Sequence, residues 1–409
     1  MVLTLALLVL LVLALYALSA LSRTGGQVAG SGAYQTQARQ HALLALDIGL
    51  GELQRHAGDD TRITGMAGVT GVAANASNST RHWCGVWRSD GAFVGWLTSG
   101  AQTNGVAAVQ NGLQAVELVS AGSVGAAAAN SEHVIAGKLP VTVAEVPGAP
   151  GVATTAGRYA YLVLDEGVKV SAYSPPAELR LPGVPPLLTS TSATSAQGKL
   201  RTAYGTYSAR LPAMLSYEQL SLLPTPLTAL TPSVLQDNFH HVTLTGRTVE
   251  GGRYYTGQIN LNTTSAIVWR SILETYNSAP GATPLSSANL TSRGNAIANG
   301  FAASNSGKSV NGPFTSVAAF GGSTLLSGNL PSPTTAAQFM SAIGTMLTVR
   351  SDTFRIRGYG EALNPADSTG IEATAYCEAI VQRTLDPAPN GLGRRFVVLH
   401  FRWLGPTDL

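Results

Sequence analysis

The sequence predicts an α+β fold in which a long N-terminal transmembrane and amphipathic helix packs on an antiparallel β-sheet, with a more helical module inserted between the strands. Three observations predict it. Residues 1–21 form an apolar run without charge, leucines at helical spacing follow, and two groups of strand-like runs flank a proline-rich stretch with helical windows. The implied divisions are 1–58 for the helix, 59–175 for the first part of the β domain, 176–350 for the insert, and 351–409 for the strands that complete the sheet.

In residues 1–21 only Thr4 and Ser19 break the apolar run; the first charge is Arg23 and the first acid Asp47. About twenty such residues at 1.5 Å each span a bilayer core. A cleaved signal peptide wants a positive n-region and a shorter core. Nothing positive precedes this run, although Ala17 and Ser19 offer small residues. Leu43, Leu46, Leu50, Leu53 and Ala57 then recur at spacings of 3 and 4, which places them on one helical stripe, with Arg39, Asp47, Glu52, Gln54 and Arg55 elsewhere. That stripe packs either on its own sheet or on neighbouring helices. Gly25, Gly26, Gly30 and Gly32 loosen the join between the two stretches, and Gly58-Asp59-Asp60 stops the helix.

Trp83–Trp87 and Ala92–Leu97 flank Arg88-Ser89-Asp90-Gly91 and predict a β-hairpin. Tyr159–Leu164 and Val168–Ala172 flank Asp165-Glu166-Gly167 in the same way. Late in the chain, Phe354-Arg355-Ile356-Arg357 alternates apolar with basic, and Ile371 to Gln382 alternates small or apolar with polar residues. The loop Asn364–Gly370 joins these runs, and Phe396–Leu404 adds a further strand. Between the two groups, prolines cluster at 175–186 and 212–232, and 174–197 reads as an extended connector. Helical windows lie at 264–277 and 333–347, the second with Ser332-Pro333 as cap and first residue.

Only 11% of the 409 residues are charged, and 25 basic against 22 acidic residues give a net charge of +3, which argues against nucleic acid as a partner. No Gly-x-Ser-x-Gly elbow, Walker loop, His-Glu-x-x-His or Cys-x-x-Cys occurs, so neither an enzyme nor a cofactor is expected. His240-His241 beside Asp237 is the one dense ionisable cluster, and adjacent strand residues point to opposite faces. His82 near Cys84 reads as a strand position before a metal ligand, and Asp165-Glu166 as a turn before a calcium site. Cys84 and Cys377 either form one disulfide in an exported body or remain two buried thiols. Trp83, Trp87 and Trp96 read as core before a carbohydrate platform.

Several blocks resemble a known family. Ala38–Leu46, Gly51-Glu52-Leu53-Gln54, Ala57–Thr64, Trp83–Trp87, Gly157–Tyr161, Asp165–Lys169, Gly393–Phe396 and Phe401–Leu404 look like pilin-like, PilX-like pilus-assembly proteins abundant in Verrucomicrobia. More distantly, Ile259-Asn260-Leu261-Asn262-Thr263-Thr264 resembles the run that opens a helix in the K-type minor pseudopilin of type II secretion, as Ser351–Arg357 through Arg383 resembles its late strands. In that family a helical domain is inserted into a pilin sheet.

The resemblance implies a non-enzymatic subunit held in the inner membrane by a single pass, its body in the periplasm or on an extracellular filament. Its implied partners are other pilin or pseudopilin subunits and the inner-membrane assembly platform. Leu43, Leu46, Leu50 and Leu53 would serve assembly, and Asn260, Asn262 and Thr263 would be the family motif. Prepilins carry a basic leader and usually a glutamate at the fifth mature position, whereas this chain starts Met1-Val2-Leu3 with Leu5, and Arg23 and Arg39 follow the helix. The expectation is a late-called start with the leader upstream. The alternative from another class is a membrane-anchored or secreted surface-binding protein, directed at glycans, whose helix is only an anchor.

Overall fold

The computed structural model describes residues 2–71, 80–143, 154–171, 232–243, 247–249, 253–255, 259–277, 279, 281–301, 312–330, 334–364 and 367–409. The connector expected at 174–197 lies outside them, as does the Ser332-Pro333 cap.

Helix α1 (Val2–Ala57) is continuous across all four glycines and, at 56 residues, is about 84 Å long. From Leu7 to Leu21 its large apolar side chains stand exposed, and this part is long and apolar enough to cross a membrane. From Ala38 to Ala57 one side is buried. The buried stripe is Ala38, His41, Ala42, Ala45, Leu46, Gly49, Leu53 and Ala57. Leu46 and Leu53 therefore face the sheet, one of the two alternatives left open for the stripe, while Leu50 is half-buried and Leu43 is 39% exposed. The leucine spacing misplaces the contact face because the closest packing is made by small residues.

After α1 come β1 (Ile63–Met66), β2 (Cys84–Trp87) and β3 (Phe93–Trp96), an antiparallel three-stranded sheet containing the predicted hairpin. β4 (Ala115–Val119), α2 (Ala121–Val124) and β5 (Val134–Gly137) follow, then β6 (Leu139–Val143) and β7 (Thr154–Asp165). β8 (Val170–Ser171), α3 (Pro232–Asn238) and β9 (Val242–Thr243) come next, and β8 pairs with β9 in parallel. The hairpin expected across Asp165-Glu166-Gly167 is thus absent. Both edges of β7 are already taken, one by β6 and, further on, by residues 97–99, the other by a strand from the end of the chain.

β10 (Arg247–Val249) and β11 (Arg253–Tyr255) form a short ribbon before β12 (Ile259–Asn260). Helices α4 (Ala266–Asn277), α5 (Ser287–Phe301), α6 (Val317–Gly321), α7 (Thr324–Ser327) and α8 (Ala336–Ile343) lead to β13 (Leu347–Thr348). β12 and β13 pair in parallel, so the helices leave and rejoin the body at adjacent points. The cap of α8 is Thr335, whose hydroxyl accepts from the Gln338 amide while Gln338 accepts in return from the Thr335 N–H.

β14 (Thr353–Asn364), β15 (Asp367–Pro387) and β16 (Arg394–Leu404) complete a five-stranded antiparallel sheet of order β16-β15-β14-β7-β6. Asn364 pairs with Asp367, so the last part of the predicted 364–370 loop already belongs to β15, with a register shift before Ile371. Central β14 is buried on both faces. Phe354, Ile356 and Ala362 join Tyr161, Val163, Cys377 and Ala379 beneath α1. Gly358 and Gly360 lie on this face directly under the helix backbone. A Cβ at Gly358 would sit 2.6 Å from the Ala42 carbonyl oxygen, and one at Gly360 would run into the Ala38 carbonyl and the Ala42 nitrogen. Helix and strand are in backbone contact, which only glycine on the strand and alanine on the helix permit. Polar side chains fix the register: His41 Nδ1 lies 2.8 Å from the Glu361 carbonyl, and the Gln54 amide donates to the Arg394 carbonyl at 2.7 Å.

Gly360→Val is expected to lower stability by about 1–3 kcal/mol through overpacking against a backbone that cannot move aside. Thermal unfolding of the detergent-solubilised chain checks this, with Gly112→Val, at a glycine with open space and positive φ, as the comparison for backbone strain alone.

Candidate functional site

The sheet face opposite α1 carries charge. Arg357 of β14, Glu378 of β15 and Arg402 of β16 are direct cross-strand neighbours. Glu378 accepts from Arg355 at 3.0 Å, Arg357 at 2.8 Å and Arg402 at 2.9 Å. Arg355 also donates to Glu166 at 3.0 Å, and Lys169 donates to the same carboxylate oxygen at 2.7 Å. Arg355, Arg357, Glu166, Glu378 and Lys169 are all buried. Lys169, Arg355 and Arg357 also lie 4.9–5.4 Å from the centre of the Phe239 ring, whose face stabilises the cationic excess. Arg357 further donates to the Leu118 carbonyl and Ser123 hydroxyl. Glu361 forms a second centre with Lys138, Arg158 and the Tyr359 hydroxyl. Burial opposes ionisation of Glu166, but Lys169 and Arg355 outweigh it and hold the carboxyl at about 2. The same contest leaves Glu378 far below the usual range.

The arginines of 354–357 do not face water, because residues of 118–124 and 239 cover them. Asp165-Glu166 opens a turn, as expected, and the turn is buried: Glu166 is committed to two cations, and Asp165 accepts from the Gly167 amide at 2.8 Å.

Asn260, Asn262 and Thr263 are fully buried and join three parts of the chain. Asn260 donates to the Thr64 carbonyl at 2.8 Å and to the Ser351 hydroxyl at 3.0 Å. The side-chain carbonyl of Asn262 accepts from the Phe314 amide at 2.8 Å, and its backbone carbonyl accepts from Met66. The Thr263 carbonyl receives the Trp269 indole N–H at 3.0 Å. The motif thus ties β1 to the root of the helical insert. Its geometry is that of a joint, with no side chain left pointing to solvent.

Cys84 and Cys377 are two separate buried thiols in this structure. They belong to different sheets, and Cys377 donates to the Ala42 carbonyl of α1. Burial pushes both thiols up, Cys377 to about 12, so neither is a thiolate near neutral pH. Trp83, Trp87 and Trp96 pack edge to face within the core and offer no platform. The exposed aromatic pair is instead Phe401 and Trp403 on the edge strand β16, with Arg39 of α1 stacked 5.5 Å over Trp403.

The structure brings His240 to His82, which the sequence placed with Cys84, while Asp237 and His240 share the wall of one cavity. The His82 and His240 rings stack 3.6 Å apart, and His82 Nε2 lies 3.1 Å from a carboxylate oxygen of Glu132. Glu132 has no motif around it and no sequence signal marks it. His241 Nδ1 lies 2.8 Å from the Ser265 hydroxyl. Burial pushes all three imidazoles down, His241 to about 4, so each is neutral near pH 7.

No protein family, curated protein or solved structure matches the chain.

Glu378→Gln is expected to cost about 3–5 kcal/mol, because three guanidiniums lose their shared counter-charge in a buried place. Urea unfolding reads it. A second expectation concerns acid. In the unfolded chain these imidazoles titrate near 6.5 and bind protons that the folded protein refuses, so their contribution is full above that pH and falls toward pH 4. The depressed Glu166 carboxyl adds a further loss as pH drops from about 4.5 through 2. A stability that stays flat from pH 7 to 4 contradicts the histidine assignment.

Proposed function

We propose that the chain is a minor pilin or pseudopilin-like subunit, anchored in the inner membrane by its first helix and assembling through that helix into, or at the tip of, a type IV pilus or type II secretion pseudopilus. One observation carries the reading: a single rigid helix serves two environments. Its first third is apolar and exposed on every described side, while its last third is locked by backbone contact onto an antiparallel sheet. An anchor alone needs no such coupling. A helix that must transmit position from a membrane or helical bundle to a body needs it.

Further support comes from where the resembling blocks fall. Those at 38–57 form the buried stripe of α1, those at 157–161 and 393–404 lie in β7 and β16 of the sheet it covers, and Asn260 to Thr263 secure the insert. The inserted helices widen the body, so a subunit added above it meets an obstruction, which favours a tip position. In this reading the protein has no catalytic role.

The test uses Leu10→Cys and Leu18→Cys, both highly exposed, in full-length chain expressed in its own membranes, where the native thiols are buried. Oxidation is expected to link the chain to other subunits' apolar helices, identified by mass spectrometry, and the adducts should vanish when Leu11→Asp breaks the run. A chain that stays in the membrane yet links to no helix of another subunit from either position is an anchor only, and the assembly reading falls.

A further inference from the structure

Three segments far apart in sequence converge beside the charged face: His82 just before β2, Glu132 in the turn before β5, and His240 after α3. One ligand atom from each lies within 4.8 Å of the others. His82 Nε2 and Glu132 Oε2 are 3.1 Å apart, close to the ~3.3 Å between neighbouring ligands of a tetrahedral ion with bonds of about 2.0–2.1 Å. The third ligand atom, from His240, lies within the same 4.8 Å. His82 and His240 are buried.

The hydrogen bonding of the cluster is incomplete. His82 gives Nε2 to Glu132, but its buried Nδ1 has no partner. Glu132 is held in place by Arg81 at 3.3 Å, and the Glu132 carbonyl fixes His240 Nε2 at 2.7 Å. A cavity of about 340 Å³ adjoins the cluster, with Glu132, His240 and His241 on its wall.

We propose that His82, Glu132 and His240 form a site for a borderline divalent transition-metal ion of the Zn²⁺ class, with a coordination position open to the adjoining cavity. Two neutral imidazoles and one carboxylate suit such an ion; Ca²⁺ and Mg²⁺ require six or more oxygens, which this wall does not offer. Three protein ligands leave room for a water or a ligand from the cavity side. The ion would also join the strand body to the segment that carries Phe239, because its ligands come from both. The site is independent of filament assembly.

The experiment is metal titration of the full-length, chelator-treated chain in detergent. One Zn²⁺ per chain is expected, together with a rise in the thermal midpoint. Co²⁺ in its place should give the intense visible absorption of a four- or five-coordinate ion. Glu132→Gln and His240→Ala should each weaken Zn²⁺ binding at least tenfold, while His133→Ala, which lies on a separate pair with Glu117, should leave it unchanged. Failure to take up Zn²⁺, binding by both variants as tight as by the wild type, or displacement of Zn²⁺ by equimolar Ca²⁺ overturns the proposal. If the variants do not fold, the wild-type Co²⁺ spectrum decides alone, and a spectrum of the hydrated octahedral ion rejects the site.

Discussion

The arrangement depends on how closely α1 approaches β14. Gly358 and Gly360 on the strand face Ala38 and Ala42 on the helix, and backbone meets backbone with no side chain between. At this distance neither element can slide or rotate independently. The contact also explains why the buried stripe of α1 is rich in alanine, with only Leu46 and Leu53 as its buried leucines. Every other packing decision on that face, from Tyr161 under Gly49 to Phe396 near Gln54, is made around a separation set by glycine.

The other face of the same strand is organised by the opposite principle. Arg355, Arg357 and Glu361 alternate with the apolar residues, and each finds counter-charge on a neighbouring strand or the turn after β7. Buried ion networks contribute little net stability when formed, but removing one member is expensive. Their value here is specificity. Apolar cover would pack on any greasy sheet, whereas Phe239, the Leu118 carbonyl and the Ser123 hydroxyl complete only this pattern of cations. One strand therefore selects a helix by shape and a cover by charge.

The local elements were legible in the sequence. Period-two alternation located β14, β15 and β16, the Arg88–Gly91 turn located β2 and β3, and α4 followed its helical window. Long-range choices were not. Alternation says which residues share a face and not whether that face is covered, so the burial of Arg355 and Arg357 is not legible in it. The turn after β7 resembles a hairpin because it carries hairpin residues, yet strand pairing is decided by whichever edge is filled first or best. Leu43 looked central because leucine outweighs alanine in any hydrophobic pattern, although close packing favours the smaller residue. Helices α5, α6 and α7, rich in serine, glycine and asparagine, gave no periodicity to find. The His82, Glu132 and His240 grouping depends on tertiary structure that no spacing encodes.

The position of β14 in the sheet has a consequence for the order of synthesis. Its neighbour β7 ends at Asp165, and β14 begins only at Thr353, after the entire insert. Contacts so distant along the chain form slowly, because the intervening loop must close before they are rewarded. Until the last strands leave the ribosome, the alanine face of α1 and the underside of β7 have no central strand to lie against. The N-terminal helix is therefore complete long before the strand that covers its alanine face is made.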